Sequence, residues 1–85
     1  MTWKLAKKAI DGFYATAVYD IDNGKEFYNG GIYTKFNTQC MTLVTLCIFD
    51  EKHKLWQRVY DYQMKMINNL VDYHMQKTRV CEMAE

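Results

Sequence analysis

Hydrophobic and polar positions follow two different periods along this chain. From about Asp50 to Arg79 the period is close to 3.6. Lys54, Arg58, Asp61, Lys65, Asn68, Asp72, Gln76 and Arg79 share one narrow polar stripe, with Trp56, Tyr60, Ile67 and Leu70 opposite. The pattern predicts a helix roughly 40 Å long, with Asp50 as its cap and Glu51 in the first turn. Leu55, Val59, Tyr62, Met66 and Tyr73 flank the apolar side on one edge, and Met64, Val71 and Met75 on the other. The apolar arc reaches roughly 220°, about twice what a helix lying on one core needs. Trp56 and Leu70 are expected in the core. Either the N-terminal segment folds over the rest of the arc, or a second helix covers it. The second reading predicts a homodimer with a self-association seam of Tyr60, Met64, Ile67, Val71 and Met75.

Upstream, the alternation has period two. Phe13, Ala15, Ala17, Tyr19 and Ile21 form one face of an expected strand, and Asn23-Gly24 follows as a type I′ hairpin signal. Asn29-Gly30-Gly31 reads as a second turn or as a bulge. Residues 41–49 are apolar on both parities, as in a central strand covered on both sides. Residues 2–10 allow a short helix capped by Thr2, with Leu5, Ala6, Ala9 and Ile10 on one side and Gly12 as its stop; a strand is the competing reading. The expected fold is α+β: a single domain, 1–85, with a small antiparallel sheet of three or four strands packed by the long C-terminal helix.

Composition narrows the chemistry. The chain has 85 residues, a formal net charge of +1, and neither serine nor proline. A serine nucleophile and a phosphate loop ending in Lys-Ser are excluded. Three cysteines, Cys40, Cys47 and Cys81, match no disulfide framework or zinc spacing, and a reducing cytoplasm suits them. The longest apolar run, Cys40 to Phe49, covers about half of the roughly 20 residues that a membrane span requires. Only two histidines are present, His53 and His74. Cys47 and His53 are close in sequence, but a cysteine in an apolar run is disfavoured as a thiolate. No catalytic set, cofactor site or metal site is expected.

Two function classes remain. The element order helix, three strands, helix resembles that of the double-stranded RNA-binding domain. That resemblance implies a nucleic-acid contact through the start of the last helix, where Lys52, Lys54 and Arg58 stand. The chain lacks that family's Gly-Pro-x-His loop, and its charge is near neutral. The leading expectation is a small non-enzymatic protein that binds a host protein and blocks it sterically, with Tyr28, Tyr33 and Lys35 around the glycine turn as contact residues. Lysine outnumbers arginine nine to two, which fits an AT-rich gene. Phage and mobile-element inhibitors, such as anti-restriction and anti-CRISPR proteins acting in the host cytoplasm, are the class this composition suggests.

Overall fold

The computed structural model describes residues 1–84, with side chains described through residue 78; the Arg79 and Cys81 side chains lie outside the described ones. Three α-helices form: α1 (Trp3–Asp22), α2 (Ile32–Phe49) and α3 (His53–Ala84). Among the described residues there is no strand, so the expected α+β sheet is replaced by an all-helical bundle.

The reason lies in positions shared by both periods. A period-two face contains i, i+4 pairs, so Phe13, Ala17 and Ile21 serve a helix as well as a strand. What separates the two is the neighbouring positions. Ala15 and Tyr19, needed by the strand face, are exposed, Tyr19 at 67%. The buried line instead runs Ala6, Ile10, Ala17, Ile21, and Phe13, Tyr14 and Val18 pack beside it. It passes through Gly12, which has open space around it and does not stop the helix. Thr2 caps as expected, its Oγ1 accepting from the Leu5 N–H at 3.3 Å.

In α2 the buried line is Ile32, Phe36, Cys40, Val44 and Cys47. It runs on through the expected central strand 41–49. The threonines that favour strands are accommodated by back-bonding: the Thr42 hydroxyl donates to the Thr38 carbonyl at 2.9 Å, and that of Thr45 to Met41 at 2.8 Å.

The turn signals are helix ends. After Asn23, Gly24 takes φ 82°, its N–H donates to Ile21 O at 3.0 Å, and the Lys25 N–H donates to Asp20 O at 3.0 Å. This is a Schellman C-cap rather than a hairpin. The same motif ends α2, with Asp50 as C-cap and the N–H groups of Glu51 and Lys52 donating to Ile48 O and Cys47 O. Asp50 and Glu51 therefore close α2 instead of opening α3. Glu51 occupies the left-handed position at φ 57°, where a side chain is strained. Glu51→Gly is expected to raise stability by up to about 1 kcal/mol, seen as a higher urea midpoint; a lowered midpoint would mean that the glutamate side chain offsets the strain.

Three contacts fix how α1 lies on α3. Lys52 Nζ donates to Met1 O at 2.9 Å, the Tyr62 hydroxyl donates to Asp11, and the Tyr73 hydroxyl donates to Asp22 at 2.5 Å. Each pair is separated by 51 positions, so α1 and α3 run parallel in constant register. Asp11 and Asp22 are eleven residues apart, as are Tyr62 and Tyr73. Eleven residues make about three turns, so both clamps fall on one face of each helix. The helix α2 returns between them, antiparallel to α3, with Asn37 opposite Gln63 at 2.8 Å.

Candidate functional site

The loop between α1 and α2 builds an aromatic corner against the far part of α3. Phe27 is buried and anchors it, its ring stacked on His74 with centroids 4.4 Å apart and planes at 11°. Tyr28 stands edge-on to Phe27 at 4.9 Å, 5.9 Å from Tyr33 and 6.0 Å from His74. Tyr33 also packs on Phe27 at 5.8 Å. Tyr28 nevertheless stays 62% exposed, so its ring is held by neighbours on one side and offered to solvent on the other. Clefts of about 370 and 250 Å³ flank this corner and share Lys25 and His74. The structure thus brings Tyr28 and Tyr33 together. Lys35 is not part of the group; it borders a narrow cleft against α1 with Thr16 and Asp20. Phe27 and His74 were missed in the sequence. His74 occupies the helical phase of Ile67 and Leu70, and that phase was the available signal.

The seam expected on α3 is split. Ile67 is buried in the core with Leu70, Val71 is half-buried against it, and Tyr60, Met64 and Met75 are exposed. The wide arc of α3 has two neighbours within the chain. Tyr62 and Tyr73 serve the α1 side, while Gln63 serves the α2 side. Trp56 is half-buried at the core edge. Gln63, though polar, is 1% exposed; its Nε2 donates to Asn37 while its Oε1 has no partner.

The basic residues around the start of α3 are engaged with the N-terminal segment at two of three positions. Lys52 bonds the Met1 carbonyl, and the Arg58 guanidinium lies 4.1 Å from the Trp3 ring centroid, which is itself edge-on to Tyr62 at 5.4 Å. Lys54 is exposed. The resemblance to the double-stranded RNA-binding domain rested on strands that do not form. The two tyrosine clamps hold their carboxylates ionised. The Tyr62 hydrogen bond, then Lys7, keeps the Asp11 carboxyl below its ordinary range; Tyr73, then Lys77, does the same for Asp22. The tyrosine hydroxyls are pushed up in return. Burial alone pushes the Cys40 thiol up to about 12, so Cys40 is a core side chain and not a nucleophile at neutral pH. Cys47 is likewise buried, in α2, while His53 is exposed at the start of α3.

A further surface was concealed by the strand reading. The side of α2 turned away from the core carries Thr38, Met41, Thr42, Thr45, Leu46 and Phe49, all exposed, and they line an open groove of about 380 Å³. From Phe36 to Phe49 the chain has no charged residue. No helix among the described residues is long and apolar enough to cross a membrane.

Comparison of the chain with protein families, with curated proteins and with solved structures finds no match.

Proposed function

We propose that the protein is a small non-enzymatic binding module that acts by covering a working surface of another protein, with the aromatic corner as its contact. One observation carries the reading. Tyr28 and Tyr33 are packed on the stack of buried Phe27 with half-buried His74, yet Tyr28 is mostly exposed. Exposed aromatic rings with restricted freedom make strong contact points, because little side-chain entropy is lost on binding. The lysine-rich composition supports a phage or mobile-element inhibitor of a host protein as the setting.

The test is recovery of a stoichiometric partner on the tagged chain from host lysate, repeated with Tyr28→Ala/Tyr33→Ala. The double variant is expected to keep its helix content and to lose at least about tenfold in partner affinity. Equal retention by both forms, or no retained partner at micromolar concentration, overturns the proposal.

A further inference from the structure

We infer that the outward face of α2 is where two copies of this chain pair, antiparallel, about a twofold axis lying between Thr42 and Thr45. The inference is independent of the aromatic corner and rests on the seam's spacing and its charges.

Thr38, Thr42, Thr45 and Phe49 are spaced four, three and four residues apart. At 100° per residue they occupy an arc of about 60°, centred opposite the buried line of Ile32, Phe36, Cys40, Val44 and Cys47. A twofold axis at the midpoint sets Thr38 of one copy in the same layer as Phe49 of the other, and Thr42 in the same layer as Thr45. The large ring, 80% exposed in the single chain, thus faces a small residue, and the central layers contain only threonine. Small central residues let two helix axes approach to about 8 Å. Met41 borders the seam on one side and Leu46 on the other, each meeting its own kind of flank across the axis.

The charges fit the same register. Lys35 lies in the first turn of α2 and Asp50 caps its end, with Glu51 next. Both placements oppose the helix dipole, which favours anions at the start and cations at the end. Reversing a second α2 alongside the first places each Lys35 by the Asp50 end of its mate, on the same flank of the seam. Between these ends the face carries no charge, so the twofold axis sets no like charges against each other.

Light scattering during gel filtration at micromolar concentration is expected to give the mass of a dimer. Thr42→Glu and Thr45→Lys, each at an exposed position bonded only within its own helix, are expected to leave the circular dichroism unchanged. Each should weaken self-association by more than about tenfold, because each sets a charge into an uncharged seam. The double variant Thr42→Glu/Thr45→Lys pairs opposite charges in both central layers and is expected to regain the dimer. Met64→Glu, on α3, is expected to change nothing. A monomeric wild type overturns the inference, as does a dimer indifferent to both single changes, or a double variant no stronger than either single one. The tyrosine variants of the aromatic corner are expected to remain dimeric, so failure of one proposal is distinguishable from failure of the other.

Discussion

Phe36→Ala is expected to destabilise the protein by about 3–4 kcal/mol. Phe36 is 1% exposed at the middle of the buried line of α2, edge-on to Tyr14 at 6.3 Å, and with Phe13 and Ala17 it lines the α1–α2 contact. Truncation removes the ring's transfer free energy and leaves a cavity that two rigid helices can only partly close. A domain of this size holds roughly 4–13 kcal/mol in total, so the change takes a large share of it. At a urea slope of about 1 kcal/mol/M the midpoint falls by about 3 M, compared at one chain concentration so that self-association is held fixed. Leu5→Ala, at a mostly exposed position on α1, is the matched control and is expected to stay within about 0.5 kcal/mol. A loss below about 1 kcal/mol at Phe36 would remove this residue from the core and with it the packing of α1 on α2.

The sequence made α3 and the first turns of α1 readable and concealed the rest of α1 and all of α2. In α3 the polar stripe from Lys54 to Gln76 is exposed and Leu70 is buried, because charged residues mark the solvent side without ambiguity. In α2, and in α1 between Asp11 and Asp20, that mark is missing. The α2 segment has one charge, Lys35, and its outer face is threonine, methionine, leucine and phenylalanine, so hydropathy does not distinguish inside from outside. A helix apolar all round and a central strand then look alike. Punctuation misled for a related reason. Asn-Gly supplies positive φ, and a hairpin and a Schellman cap both use it. Only the residues before Asn23 distinguish the two, and these carried both periods.

The width of the apolar arc on α3 predicts an unpartnered face there, because the arc is too wide for one neighbour. Two neighbours in the same chain cover that arc except at Tyr60, Met64 and Met75, held by clamps such as Tyr62 to Asp11 and Gln63 to Asn37, which join positions too far apart for any local pattern to announce. A further uncovered face is on α2, whose outer side between Phe36 and Phe49 has no charge to keep it in water. Of the candidate contact residues, Tyr28 and Tyr33 were legible as aromatic residues beside glycines. Their support by Phe27 and His74 depends on a loop folding back onto α3.

That loop is the site of the second large effect. Gly30→Ala is expected to destabilise the protein by about 2 kcal/mol, because the new Cβ has nowhere to go. Built on the present backbone it would stand 2.2 Å from Glu26 O, 2.9 Å from Glu26 N and 3.0 Å from Glu26 C. These are backbone atoms, so no side-chain rotation relieves the clash and the loop must open. Opening moves the segment between Glu26 and Gly30, which holds Phe27, whose carbonyl accepts from the Tyr33 N–H at 3.1 Å. The aromatic corner and the first turn of α2 are therefore disturbed together. The melting temperature is expected to fall by roughly 10 °C. The ring-current shift that Phe27 imposes on His74 should shrink in the NMR spectrum. Two other glycines calibrate the effect. Gly31 has open space but φ 83°, so Gly31→Ala meets conformational strain alone, about 1 kcal/mol. Gly12 has open space inside α1 with no such strain, and Gly12→Ala is expected to stabilise by up to about 1 kcal/mol. If Gly30→Ala proves no worse than Gly31→Ala, the close approach of the loop to Glu26 is wrong, and with it the rigid seating of Tyr28 on which the binding proposal depends.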